Sequence, residues 1–353
     1  MKIGLLTLPL HTNIGGILQA YALQNVLERY GHSVAMLTEK QPILKSVKKR
    51  VKKILCFIKK EKKNKEQIDS EKFIKTHFRS WRRFENQSSK LVKDFDAVIV
   101  GSDQVWRTWG KRWNVYHYFF DFIQDPRIKK YAYAASFGFD KWMFSDVVTE
   151  EMKKLVKSFA KISVRENDAV LLCKKYLGID AEWLLDPTML LDKQDYANLA
   201  QCGFGDDIGL VCYYIDDDEK FDPVLQEVLE SAARFFDNKW VLAKSSECVD
   251  KGVVRPTIEK WLYNMMNASF VVTNSFHGVV FSIIFEKNFI VLDNKSGGTS
   301  RINSILSMFG LENRLVKGPN EVEKNVNEKI DWRHVLKMKV EYQNRSLEFI
   351  RNL

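Results

Sequence analysis

The 353-residue chain predicts an α/β protein built from two Rossmann-like domains facing a cleft. Three observations point there. The chain opens as a βαβ unit: an apolar run from Lys2 to Leu8, a glycine turn at Thr12-Asn13-Ile14-Gly15-Gly16, and a helix from Ile17 to Tyr30 stopped at Gly31. Short apolar runs then alternate with helical stretches to the end of the chain. Finally, polar residues gather just after the predicted strands, the edge at which open parallel sheets place ligands.

The elements follow in order. Ser33 to Leu37 is a second strand, and Asp96 to Val100 is a core strand ending in Gly101-Ser102-Asp103-Gln104. Lys130 to Ser136 is a strand and Glu151 to Ala160 a helix. Lys161 to Val164 is a strand ending at Arg165-Glu166-Asn167-Asp168, and Glu182 to Leu185 one ending in Asp186-Pro187-Thr188. A second α/β unit begins with a strand at Ile208 to Ile215 and a helix at Pro223 to Phe235. It continues with a strand at Lys239 to Ala243 and a helix at Thr257 to Asn267. A buried strand at Ser269 to Thr273 then leads through Asn274-Ser275-Phe276-His277-Gly278 into an apolar helix from Val279 to Phe285. Asn288 to Leu292 is a strand, and Ser300 to Phe309 a helix. Asp331 is placed to cap a last helix, Trp332 to Arg351. These elements divide the chain into an N-terminal domain over 1–195 with a basic amphipathic insertion at about 43–80, a C-terminal domain over 196–330, and a terminal helix over 331–353 that packs back across both. Gly203 and Gly205 interrupt the apolar pattern at the boundary.

Composition narrows the class. Hydrophobic residues make up 45% and charged residues 28%, the balance of a globular protein. The start of the chain lacks the layout of a secretory signal, and no apolar run approaches the ~20 residues of a membrane span. Cys56, Cys173, Cys202, Cys212 and Cys248 are scattered, without a CxxC pair, which argues against a disulfide framework or a zinc site and for a reducing, cytoplasmic location. The net charge of +10 is concentrated between Lys45 and Lys65, where eleven lysines and arginines face only Glu61. No nucleic-acid-binding motif accompanies this charge. Ile43, Leu44, Val47, Val51, Ile54, Leu55 and Ile58 recur there at helical spacing, so the segment at 43–60 reads either as a helix lying in an anionic membrane surface or as one packed on its own domain.

The ordered set Asn13-Ile14-Gly15-Gly16-Ile17-Leu18-Gln19-Ala20-Tyr21-Ala22-Leu23-Gln24, Gly101-Ser102-Asp103-Gln104-Val105-Trp106, Ser163-Val164-Arg165-Glu166, Asp186-Pro187-Thr188 and Asn274-Ser275-Phe276-His277-Gly278 resembles the polysaccharide pyruvyl transferase family. Each motif alone is weak, but their order spans most of the chain. The resemblance implies a fold like that of the GT-B glycosyltransferases. It also implies transfer of an enolpyruvyl-derived group from phosphoenolpyruvate to a glycan or lipid-linked saccharide, forming a cyclic ketal, with no cofactor or metal. Several family members carry an arginine two residues before the histidine; this chain has Ser275.

The chemistry implied needs a proton donor, cations for carboxylate and phosphate, and a base for sugar hydroxyls. His277 fits the acid or a phosphate contact, and Asp103 the base. Arg165 suits bidentate donor binding, with an ion pair to Glu166 or Asp168 as its structural reading. Lys295-Ser296-Gly297-Gly298-Thr299-Ser300-Arg301 has the makeup of an anion nest, so Lys295 and Arg301, with Ser275, join the donor set. Asn13, Gly15 and Gln19 are candidate acceptor contacts, although the glycine can serve the turn alone and Gln19 can face solvent. Trp106, with Trp109, Trp113, Tyr116 and Tyr118, forms either a sugar platform or core. Two other functions stay open: a nucleotide-sugar glycosyltransferase of the same architecture, and a non-catalytic membrane-surface or nucleic-acid-binding protein.

Overall fold

Runs such as Ile3-Gly4-Leu5-Leu6, Ala97-Val98-Ile99-Val100 and Phe270-Val271-Val272 are apolar on both faces, the signature of parallel strands covered by helices on each side. The computed structural model describes residues 1–11, 13–39, 65–84, 94–110, 114–200, 208–214, 223–237, 240–242, 256–292 and 299–353. Among these, twelve strands form two parallel sheets. The first comprises β1 (Lys2–Leu6), β2 (Ser33–Glu39), β3 (Trp81–Phe84), β4 (Ala97–Gly101), β5 (Lys129–Ala135), β6 (Phe159–Val164) and β7 (Glu182–Trp183), in the order β3-β2-β1-β4-β5-β6-β7. The second comprises β8 (Leu210–Tyr213), β9 (Trp240–Leu242), β10 (Phe270–Thr273), β11 (Asn288–Leu292) and β12 (Leu315–Val316), in the order β12-β11-β10-β8-β9.

Each order reverses once, between β1 and β4 in the first sheet and between β8 and β10 in the second. At such a reversal the connections leave to opposite sides and open a crevice beyond the strand ends. The segments beyond β1, β4 and β10 carry the motif residues.

The helix Ile14–Arg29 follows β1 and is buried over most of its circumference. It is a shared wall. Its Ile17, Leu18 and Leu23 belong to one core with Leu190 and Tyr196 from the connecting segment and with Trp261 and Phe281 from the second sheet's helices. Tyr196 packs edge-on against Phe281 with centroids 4.9 Å apart and donates its hydroxyl to Thr188 O at 2.8 Å. The C-terminal helix, Trp332–Arg351, is capped by Asp331, which accepts from His334 N at 3.2 Å. Ser346 on that helix accepts the buried Leu185 amide at 3.1 Å, and Phe349 meets Tyr133 of β5 at 5.7 Å. Its Tyr342 meets Phe309, at the end of the helix Thr299–Phe309.

Several expectations shift. The helix after β10 is Phe276–Ile284, so it starts three residues before Val279 and takes His277 into its first turn. Gly278 permits this, because a Cβ there would lie 2.1 Å from Thr273 Oγ1. The segment expected as an interrupted boundary contains a helix, Lys193–Leu199, held by a capping box between Asp192 and Asp195. Seven residues are too few to display helical periodicity. The basic segment at 43–60, Trp113 and Lys295 lie outside the described residues. Among the described residues no helix is long and apolar enough to cross a membrane.

Replacing Ser346 by alanine strands the Leu185 amide in the core. A loss of about 1–3 kcal/mol is expected, read as a lower urea midpoint with an unchanged m-value.

Candidate functional site

The site grows from the backbone beyond β4. Ser102 and Asp103 both adopt positive φ, 22° and 62°. For non-glycine residues this costs on the order of 1–3 kcal/mol unless the surroundings compel it. Here they do. Ser102 N donates to Tyr133 O at 2.9 Å, and Asp103 O accepts from Val105 N at 2.8 Å and from Ser136 N at 3.2 Å. The turn directs Ser102 Oγ to Asp186 Oδ2 at 2.6 Å and buries the Asp103 side chain.

Arg165, one residue beyond β6, is the centre of the cluster. Its side chain is fully buried and reaches Asp186 at 2.9 Å, Asp103 at 3.4 Å and Glu166 at 3.5 Å. It also donates to Ser102 Oγ at 3.3 Å and lies over the Phe276 ring at 4.6 Å. Burial alone would weaken its hold on its proton, but Asp186, Glu166 and Asp103 keep the guanidinium above its usual range. Asp186 caps the short turn Pro187–Leu190 and accepts from Thr188 N at 3.0 Å and Thr188 Oγ1 at 2.7 Å. Burial would raise its pKa, yet His277, Arg165 and these hydrogen bonds hold it below the carboxylate range. The structure therefore places Arg165 as an internal ion-pair hub whose partners include Glu166. Asp168 instead accepts from Ser300 Oγ at 2.7 Å.

His277 faces this cluster from the second sheet. Its Nε2 stands 3.9 Å from Asp186 Oδ2, beyond hydrogen-bond reach, and is buried without a partner. A Cβ on Gly15 would lie 2.1 Å from His277 Nδ1 and one on Gly16 would lie 3.1 Å from Asp103 Oδ2, so the N-terminus of the helix Ile14–Arg29 presses directly on both side chains. Only glycine allows that approach. Burial, with Arg165 and Arg301 acting in the same direction, pushes the imidazole down to about 4 against the pull of Asp186 and Asp103. At neutral pH the resting His277 ring is therefore uncharged.

Ser275 caps the helix Phe276–Ile284 in position only, since its side chain makes no capping bond and its buried Oγ has no partner. The first amides of that helix lack intrahelical acceptors, an arrangement that favours anions. Arg301 enters from the first turn of the helix Thr299–Phe309. It is half-buried, its Nε has no partner, and burial together with Arg165 pushes it down to about 10. A two-point latch fixes this helix across the cleft: Ser300 to Asp168, and Asn167 N to Ser304 Oγ at 3.2 Å.

Other candidates serve local structure. Trp106 is completely buried, stacked on Phe119 and donating Nε1 to Tyr118 O at 3.1 Å, so it offers no face to a sugar. Gln19 is buried, not solvent-facing, with Nε2 on Thr7 Oγ1 and Gly16 O. Asn13 caps the helix Ile14–Arg29, accepting from Gly16 N at 3.1 Å. Ser102, Ser136, Glu166 and Arg107 were not marked by the sequence as site residues. Arg107 acts on Arg301 electrostatically, is held by Gln104 Oε1 at 2.6 Å, and lies between the rings of Trp109 and Phe139. Among the described residues no three His, Cys, Asp or Glu side chains gather to hold a metal ion. A surface cleft of about 340 Å³ lined by Tyr21, Glu28, His77 and Arg79 contains none of the clustered residues.

A family model described as polysaccharide pyruvyl transferase matches residues 13–296. A search of the curated proteins returns no match. Among solved structures, the chain is similar to a protein described as a UDP-N-acetylglucosamine 2-epimerase from Listeria monocytogenes, with 11% identity, coverage of 99% of this chain and 94% of that one, and a TM-score of 0.51. It is also similar to the UDP-GlcNAc 2-epimerase from Methanocaldococcus jannaschii, with 13% identity, coverage of 94% and 93%, and a TM-score of 0.48. The first likeness shows a GT-B-like fold of two Rossmann-like domains.

Two outcomes are expected. Gly15→Ala drives a methyl group into the His277 ring, so the ring shifts and stability falls by about 1–3 kcal/mol, which ring NMR and urea titration would show. Second, His277 holds its proton less tightly folded than unfolded. The unfolded chain therefore binds more protons between the unfolded value of about 6.5 and the folded value of about 4, and stability falls as pH drops through that window. The contribution is on the order of 3 kcal/mol, measured as the part of the pH dependence that His277→Gln removes.

Proposed function

The chain belongs to the polysaccharide pyruvyl transferase family, and on that premise we propose that this transferase moves an enolpyruvyl-derived group from phosphoenolpyruvate to two hydroxyls of a saccharide, forming a cyclic ketal. One observation carries the reading. Two buried groups able to face an anion, Ser275 Oγ and Arg301 Nε, have no hydrogen-bond partner in the protein, and Arg301 acts electrostatically on His277 in the opening turn of the helix Phe276–Ile284. They lie beside a buried neutral histidine and buried carboxylates. An anion nest next to acid–base groups is what a phosphate ester with an enol carbon requires.

In this reading the donor phosphate is received by Ser275, the helix amides and Arg301, so Arg301 supplies the cation that other members place two residues before the histidine. Lys295, outside the described residues, is proposed as a further donor contact. Arg165 acts on the donor through its field and by fixing Asp103 and Asp186, because its own donors face those carboxylates. His277 in its neutral form takes the proton of an incoming hydroxyl at Nε2. A bound phosphate, adding negative charge nearby, raises its affinity for that proton as the hydroxyl attacks. Asp103 is a second candidate base. The acceptor lies over the opening flanked by Gly15 and Asn13, and Trp109, 46% exposed against Arg107, replaces Trp106 as the aromatic surface available to a sugar. We also propose a cytoplasmic protein that works on lipid-linked precursors and meets anionic membrane through the segment at 43–60.

The experiment is phosphate release from phosphoenolpyruvate in the presence and absence of saccharide acceptors, alongside thermal shifts with UDP-sugars. Acceptor-dependent release is expected. Stabilisation by UDP-sugars alone would instead favour a glycosyltransferase. His277→Ala should lower kcat by about 100-fold or more with the fold retained. Arg301→Ala should weaken phosphoenolpyruvate binding at least tenfold, about 1.4 kcal/mol, measured by calorimetry. Unchanged affinity would move the phosphate elsewhere.

A further inference from the structure

Pyruvyl transfer needs a proton delivered to carbon, and neutral His277 does not store one. We propose that Glu166 is the proton donor, delivering the proton on its Oε2 to the methylene carbon of phosphoenolpyruvate; the inference rests on the pyruvyl-transfer reading.

Ser136 Oγ accepts from Gly138 N at 3.0 Å and donates to Glu166 Oε1 in a short bond. In this arrangement the serine oxygen takes the Gly138 amide and gives its own proton to Oε1. A proton carried by Glu166 then belongs on Oε2, which is buried and has no hydrogen-bond partner in the protein. An ionised carboxylate with one oxygen buried and unpaired is costlier than a protonated one. The position adds to this. Glu166 is the N-cap of the helix Asn167–Leu172, where a carboxylate ordinarily accepts a helix amide, yet its side chain makes no such bond. Nor is it the main partner of Arg165, since Asp186 sits at 2.9 Å and Glu166 at 3.5 Å. The charged and titratable groups around it are Arg165 beside it, Arg301 from the facing helix and Cys173, whose thiol burial pushes up to about 12. Burial raises the Glu166 carboxyl above its usual range despite both arginines. With Glu166 neutral, Asp103 and Asp186 remain as the carboxylates in contact with Arg165.

The step balances. The enol π-pair takes the Oε2 proton to form the C3–H bond, leaving an oxocarbenium centre at C2. A first hydroxyl oxygen bonds to C2, and its proton passes to His277. The C2–O bond to phosphate breaks with its electron pair, and a second hydroxyl closes the ketal. Of the two hydroxyl protons, one returns to Glu166 and one leaves with phosphate.

The test uses the full-length chain. Glu166→Gln keeps the Ser136 bond and removes the transferable proton. It should lower kcat by about 100-fold or more while phosphoenolpyruvate affinity by calorimetry stays within about threefold. Wild-type kcat should fall as pH rises through the Glu166 pKa, and the Glu166→Gln profile should lack that limb. Independently of turnover, the infrared spectrum of the wild type at neutral pH should hold a protonated-carboxyl band that Glu166→Gln loses. Near-normal kcat in Glu166→Gln, or a wild type without the band, overturns the proposal; if Glu166→Gln fails to fold, the wild-type band and Glu166→Asp decide it. A wild type with the band that releases no phosphate from phosphoenolpyruvate defeats pyruvyl transfer, and with it the delivery step, while a wild type that turns over without the band defeats Glu166 alone.

Discussion

The buried guanidinium of Arg165 is the interaction on which the rest of this architecture depends. A lone charge at full burial would be prohibitive, and breaking such a pair by removing one partner typically costs ~3–5 kcal/mol. The chain meets that constraint with carboxylates from three separate segments: Asp103 after β4, Glu166 after β6 and Asp186 after β7. The strained backbone at Ser102 and Asp103, the proline turn after Asp186 and the packing of Phe276 over the guanidinium are ways of bringing those groups to one point. Because Phe276 comes from the second sheet, the same cation also registers the two halves of the molecule against each other.

Around that hub the environment separates groups of similar chemistry. Asp186 receives four polar contacts and stays ionised, whereas Glu166 receives fewer and holds its proton more firmly. His277 is driven the other way, toward the neutral base. Neighbouring titratable groups are thus pushed in opposite directions within one cluster. Arg301 adds a second cation, its pKa lowered by burial and Arg165 and raised by Glu166 and Asp103, with its Nε buried and unpartnered.

Much of this was legible from residues alone. Alternating apolar runs and glycine stops locate ten of the strands, and the polar strand ends locate the cleft, because burial on both faces and ligand placement at strand ends leave composition signals. The edge strands β3 and β12 and the helix Lys193–Leu199 are too short for periodicity to mark. Side-chain direction was the larger gap. Trp106 and Trp109 lie three residues apart, yet one is sealed against Phe119 and the other stands half in solvent. Arg165 read as a ligand contact, because nothing in a linear string shows that Asp103 and Asp186 close on it from 62 and 21 residues away. Glu166 read as its salt-bridge partner, and only the direction of the Ser136 hydroxyl separates that role from another.

The contact between Gly15 and the His277 ring makes proton affinity depend on the relation between the two sheets. The imidazole is starved of water because the end of a helix from the first half covers it. Rotation of the halves apart would rehydrate the ring and return it toward ordinary basicity, near 6.5. In mildly acidic solution, each closing of the cleft would therefore expel a proton to solvent and each opening would recover one. Acidity would hold the two halves apart, and the movement of the protein would become visible as a small exchange of hydrogen ions with its surroundings.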